Sequence, residues 1–237
     1  MKKQLLELFF SSEGSRLALD VNKRVYNHRP GHCRKVDGIE HGSEDIALIE
    51  EEGIAFVTSG IFYMLPRAEV NCAICEISRY IQDVEGKIFL YDFKQKGTFK
   101  AVPVPINGDF DRKQFHPHGI SHIVTSNGAV RLFVISHSKD FKHSVLVLDW
   151  NSKGRQLDLV KIIEDEKFIR PNNLVAVSED AFILTNDGSA QTATMNILEM
   201  LSMIPSGSIV YYDGKVKVHI FFTCKKGRNV NAVAMAV

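Results

Sequence analysis

Three short polar signatures recur at the same phase of a strand pattern: Gly42-Ser43-Glu44-Asp45, Pro117-His118-Gly119-Ile120-Ser121 and Pro171-Asn172-Asn173. Carboxylates, amide oxygens and a histidine are the groups that hold a hard cation and take a proton from water. Calcium accepts about six to eight oxygens from carboxylates, amides and backbone carbonyls. A histidine beside it can act as general base near neutral pH. Each signature opens an apolar strand. Where such strands converge on the axis of a propeller, residues distant in sequence meet in one oxygen-rich site, and the predicted chemistry is metal-assisted hydrolysis.

The elements that must do the positioning are strands: short apolar, β-branched or aromatic runs bounded by Gly, Asn, Asp or Ser. First strands are predicted over 44–49, 118–125 and 172–178, and second strands over Ile54–Ser59, Val130–His137 and Ala181–Asn186. Third strands fall over Lys87–Asp92, Ser144–Asp149 and Ser208–Asp213. The third set is nearly a repeat, each member ending in aspartate: Gly86-Lys-Ile-Phe-Leu-Tyr-Asp92, His143-Ser-Val-Leu-Val-Leu-Asp149 and Gly207-Ser-Ile-Val-Tyr-Tyr-Asp213. A β-sandwich also supplies many short strands, but not this three-part recurrence. The expected fold is all-β, a partial propeller of about three blades plus one strand, because Asn229-Val-Asn231 opens a fourth repeat that stops at Val237.

Two segments break the pattern. Residues 61–85 read as a long loop carrying Cys72 and Cys75, with a short helix over Ala73–Asp83. Residues 190–204, with Met195, Ile197, Leu198, Met200, Leu201, Met203 and Ile204, read as an apolar helix. It packs across the propeller top or offers a membrane or lipid-surface contact.

Composition narrows the function classes. Lys+Arg 29 against Asp+Glu 28 gives a net charge of +1 with the basic residues scattered, so no nucleic-acid partner is expected. The single Cys-x-x-C, Cys72 to Cys75, lacks the second pair that structural zinc needs, and reads as loop thiols or a local disulfide. The start, Met1-Lys2-Lys3 and then an apolar patch broken by Glu7, is too short for an ordinary signal-peptide core, and no run approaches the roughly 20 apolar residues of a spanning helix. There is no Gly-x-Ser-x-Gly elbow, no His-Glu-x-x-His helix and no nucleotide-binding glycine loop.

At Gly38-Ile-Glu-His-Gly-Ser-Glu-Asp45, Pro117-His-Gly-Ile-Ser121, Asn172-Asn-Leu-Val-Ala-Val177 and Thr185-Asn-Asp187, the chain resembles the paraoxonase/arylesterase family, six-bladed propellers with two calcium ions in a central tunnel. The likeness runs from about Cys33 to Asn231, so the division expected is a leader segment, 1–32, and an incomplete six-bladed propeller domain, 33–237. It implies Glu44, Asn172 and Asn231 as ligands of a catalytic calcium, with Asp45, Asn173 and the Ile120 carbonyl around a structural one. It further implies His118 as general base, His137 as the histidine that relays the proton, and a disulfide from Cys33 to a partner near the family's C-terminus. Asn173 stands where the family has aspartate, which predicts fewer or weaker calcium sites. Ser136 precedes His137 where asparagine is usual.

The expected activity is calcium-dependent hydrolysis of aryl esters and lactones, with the family's extracellular or endomembrane setting. The alternative is a non-catalytic, membrane-associated folding or assembly partner, which the missing family ligands, the Asn173 change and the apolar 195–204 helix favour.

Overall fold

The computed structural model describes residues 31–39, 41–60, 84–138, 142–202 and 206–221. The chain divides into an N-terminal unit, Met1–Lys35, and a second unit, Val36–Val237, which holds every named strand. Of the first unit only 31–35 is described, and there Cys33 is exposed with a free thiol. Most of the expected leader, the loop 61–83 with Cys72, Cys75 and its helix, and the fourth repeat at Asn229–Val237 all lie outside the described residues.

The second unit is three sheets built in sequence order. The first runs β1 (Ser43–Ile49), β2 (Ile54–Ser59), β3 (Lys87–Asp92), β4 (Val102–Pro103), each pair antiparallel. The second runs β6 (Pro117–Val124), β7 (Val130–His137), β8 (His143–Asn151), β9 (Gln156–Glu164), and β5 (Ile106–Asn107) adds parallel to β9 at the outer edge. The third runs β10 (Pro171–Ser178), β11 (Ala181–Asn186), β12 (Ser208–Asp213), β13 (Val216–Phe221). These are three consecutive blades of a partial propeller, and β6 lies against both β1 and β10.

The predicted first, second and third strands are all present; the second strands, β3 and β12 coincide with the predicted bounds, and the first strands and β8 differ by a residue or two at their ends. The fourth strands are additional. β9 mixes Asp158, Lys161 and Glu164 into its apolar run because one side of an outer strand faces water. β4 is two residues long and contains Pro103, whose missing N–H suits an edge position. The helix predicted within 190–204 is α1, Ala193–Ser202. Thr192 caps it, its Oγ1 accepting from the Met195 backbone N–H at 3.2 Å.

Why blades form here is clearest in the middle sheet. Along β7, Leu132 and Val134 enter a core shared with Phe56, Ile88 and Leu90 of the first blade. Phe133 and Ile135, on the other face, enter a core shared with Leu174, Phe182, Leu184 and Val210 of the third. β8 alternates in the same way, Leu146 and Leu148 against Val145 and Val147. A sheet buried on both faces needs a near-continuous apolar run, which is what these strands have. Each such side chain stabilises by about 1.5–3 kcal/mol when fully buried. Trp150 sets its ring edge-on to Phe56 at 5.1 Å and gives its Nε1–H to Glu52 at 3.1 Å, closing the seam between the first two blades.

Candidate active site

The three polar signatures sit at β-bulges, one in the first strand of each blade. Pairing slips between Ser43 and Ile46, so Glu44 and Asp45 together face Thr58. It slips between Pro117 and Ile120, so His118 and Gly119 together face Ile135. It slips again between Pro171 and Asn173, leaving Asn172 unopposed. A bulge releases one residue from the ladder and re-aims its side chain. In two of the blades a buried threonine holds the distorted backbone. Thr58 Oγ1 accepts from the Asp45 N–H at 3.1 Å and donates to the Asp45 carbonyl at 3.3 Å. Thr185 does the same to Asn173 at 3.3 and 3.2 Å.

β6 is tied to both neighbours at this level. The Ile120 N–H donates to Asp45 Oδ2 at 2.9 Å. Gly119 makes the close approach on the other side possible: a Cβ there would lie 2.8 Å from the Asn172 carbonyl oxygen, Asn173 Cα and Asn173 Oδ1. Between them, His118 Nδ1 is 2.7 Å from the Asn172 carbonyl and 3.4 Å from Glu44 Oε2. A carbonyl only accepts, so Nδ1 carries the proton. In a neutral His118 the lone pair is therefore on Nε2, the atom that can act as a base. Burial pushes the Glu44 carboxyl above its ordinary value; His118 opposes that shift, and the charge of Asp45 adds to it.

Behind His118 stands a row of rings. His137 meets it edge-to-face, centroids 4.9 Å apart, and His143 meets His137 likewise at 4.8 Å. The Nδ1 atoms of His137 and His143 are 2.9 Å apart. Burial, followed by the charges of His143, His118, His116 and Arg170, holds His137 well below the usual histidine range. Burial and Arg170 lower His143 to about 4. His116, also buried, has its Nδ1 3.2 Å from the Gly60 carbonyl and accepts the His137 backbone N–H at its own carbonyl. The motifs read from the sequence assign neither His116 nor His143 a role in the site. The signal for His143 is visible in the third-strand repeat, where it occupies the column held by Gly86 and Gly207.

A cation flanks this row. Arg170 donates from Nη2 to Asp187 at 3.0 Å and from Nη1 to Glu199 of α1 at 2.9 Å. Asp187 is raised chiefly by burial, with Arg170 and then His118 pulling it back. Glu199 also receives the backbone N–H groups of Ser189 and Ala190, at 2.8 and 3.1 Å, so α1 is fastened to the rim beside the histidines.

The structure thus brings Glu44, Asp45, His118, Ile120, Asn172, Asn173 and His137 to one level of three blades; Asn231 lies outside the described residues. Among the described residues no group of three or more His, Cys, Asp or Glu side chains is set to hold a metal ion. The donors divide. Asp45 gives both carboxylate oxygens to backbone N–H groups, of Ile46 at 2.8 Å and Ile120 at 2.9 Å, and Asn173 Oδ1 accepts from Leu174 at 2.7 Å. Glu44 differs: a half-buried carboxylate beside a second acid is an environment that a bound cation relieves.

The chain matches the family model described as Arylesterase over residues 24–236. It is 30% identical over 190 residues to serum paraoxonase/lactonase 3 of Oryctolagus cuniculus, covering 80% of this chain and 50% of that protein. It is 32% identical over 184 residues to serum paraoxonase/arylesterase 2 of Gallus gallus, 78% of this chain and 48% of that one. Against serum paraoxonase/lactonase 3 of Homo sapiens the identity is 28% over 201 residues, 84% and 53%. The chain spans about half the length of the curated relatives it matches.

Proposed function

The chain belongs to the arylesterase family, and from that premise we propose that it serves in hydrolysis of carboxylic esters and lactones, with His118 as the general base. The observation that carries this reading is the bond from His118 Nδ1 to the Asn172 carbonyl, which leaves Nε2 as the basic atom in the neutral ring. Such a base takes a proton from water as the water attacks a carbonyl carbon. Glu44, 3.4 Å from Nδ1, favours the imidazolium that results. His137 is held neutral by burial, so a proton relayed through it passes on rather than resides there.

Glu44 and Asn172 would hold calcium, with Asn231, outside the described residues, as the further oxygen ligand the family resemblance implies; a cation held there would supply polarisation of the substrate carbonyl and stabilisation of the developing oxyanion. A second, structural ion at Asp45, Asn173 and the Ile120 carbonyl would compete with the backbone donors that already engage the side-chain oxygens of Asp45 and Asn173. Exposed Met195 and Leu198, about one turn apart on α1, support a lipid-surface contact through 190–204, in keeping with an extracellular or endomembrane setting.

The test is hydrolysis of phenyl acetate and of a δ-lactone by the purified chain and by His118→Gln, with calcium and with a chelator. The expected result is a fall in kcat of roughly 100-fold in the variant, with KM little changed, and loss of activity on chelation. Rates that survive both the substitution and the chelator sink the reading.

A further inference from the structure

We infer that Asn186 is a positioning residue of this site: its side-chain amide holds the turn that enters β10, and so holds the Asn172 carbonyl against His118. The inference rests on the reading of His118 as the base.

The motif Thr185-Asn186-Asp187 closes β11, and each of its side chains binds part of the segment that presents Asn172. Thr185 holds the backbone of Asn173, and Asp187 holds the guanidinium of Arg170. Asn186 lies between them, 1% exposed. Its Oδ1 accepts from the Arg170 N–H at 3.2 Å, while its Nδ2 donates to the Lys167 carbonyl at 2.8 Å and to Ser208 Oγ at 3.0 Å. A backbone N–H only donates and a backbone carbonyl only accepts, so the two main-chain partners settle which way the amide points. Aspartate there would set an oxygen against a carbonyl, and leucine would offer neither bond.

The other two blades show the simpler form of the same device. Ser59, Ser136 and Asn186 pair with Ser43, Pro117 and Pro171, the opening residues of the three first strands. All three are buried. The N–H of the next residue, Gly60, His137 or Asp187, donates to the carbonyl of Gly42, His116 or Arg170, where the chain enters the first strand. In the first blade Ser59 adds a bond from Oγ to the His41 carbonyl at 2.9 Å. Of the three, only Asn186 has an amide, which reaches two points of the entering chain at once.

What each blade supplies accounts for the difference. The first gives the site Glu44, and the second gives His118. The third gives, besides its asparagine side chains, a main-chain carbonyl, that of Asn172, 2.7 Å from His118 Nδ1. A main-chain acceptor is only as well placed as the backbone that carries it. Pro171 has no N–H, so β10 offers the ladder no donor opposite Asn186. The hold passes to the Arg170 N–H, one residue earlier, and the restricted φ of proline carries it on to Asn172.

Two NMR readouts on the 15N-labelled chain at pH 7 need no turnover. Long-range 1H–15N correlation should show wild-type His118 protonated at Nδ1. The side-chain NH2 of Asn186 should exchange with solvent at least about 100-fold more slowly than a surface asparagine amide. Asn186→Ser copies the residue of the other two blades, so β11 can still pair, but one hydroxyl cannot make both main-chain bonds. In that variant His118 should shift toward Nε2–H, the form a free imidazole side chain prefers, and kcat for phenyl acetate should fall about tenfold at little-changed KM. A variant with a lower Tm but the wild-type His118 tautomer and kcat makes Asn186 a merely structural residue and overturns the inference. Rapid exchange of the wild-type Asn186 NH2 overturns it even if the variant does not fold. The expected spectra in a chain without esterase turnover contradict the proposed activity and leave the positioning by Asn186 intact.

Discussion

Charge placement at single residues decides how this site behaves with pH. His137 and His143 are both held neutral, largely by burial, while in the unfolded chain each titrates near 6.5. Depressed folded values mean that the unfolded state binds more protons below that point. The contribution is therefore fully present above pH 6.5 and is lost as pH falls toward the His143 value of about 4. Thermal unfolding should show Tm dropping by roughly 5 °C or more between pH 6.5 and 4, and a flatter profile in His143→Gln. A wild-type Tm level across that window would contradict the neutral pair. His118 and Glu44 were legible in the sequence because each sits in a short polar motif at the head of an apolar strand. His143 was not, because it heads a strand whose remaining residues are apolar, and a lone histidine there looks like part of the core.

At the scale of elements, the bulges are the device that turns ordinary strands into a site. Nothing in the run Pro117-His-Gly-Ile-Ser announces a slip in pairing; that depends on the partner strand, which in each blade has one residue fewer over the same stretch. Thr58 and Thr185 bear the same relation to their bulges, so a threonine in the second strand was a usable signal. Two of the fourth strands were hidden for a different reason: β9 is half solvated and β4 is two residues long, so neither shows a clean period of two, whereas β13, Val216-Lys-Val-His-Ile-Phe221, alternates and was a usable signal. The prediction at this scale concerns Gly119. Gly119→Ala places a methyl 2.8 Å from the Asn172 carbonyl and forces β6 and β10 apart. The cost is about 1–3 kcal/mol, read by urea unfolding, together with a lower kcat. Gly42→Ala, where a Cβ meets nothing within 4 Å, serves as the control and should change little. Equal stability of the two variants would show that the close approach does not matter.

Across the three blades, the proposed function depends on their meeting at one level. Two inter-blade cores do the alignment, and both are built on the middle sheet, whose β7 and β8 send alternate side chains to either neighbour. That architecture could be foreseen from the threefold recurrence of strand motifs, since repetition survives local irregularity. The convergence of Glu44 from the first blade with His118 from the second and Asn172 from the third could be foreseen only by accepting the propeller, because no local pattern links residues so far apart in the chain. The pairing of Arg170 with Asp187 and Glu199, which fastens α1 beside the histidines, was beyond reach for the same reason, although Asp187 itself lies in a quoted motif.

A double-substitution cycle on Glu44 and His118 tests that convergence most directly. kcat/KM for phenyl acetate is measured for Glu44→Gln, His118→Gln and the pair, all with saturating calcium. Residues acting as one unit are strongly non-additive, so the double variant should be no slower than His118→Gln alone, to within about twofold. Losses that simply multiply would mean that the two side chains act at separate places, and would contradict a single site shared by the blades.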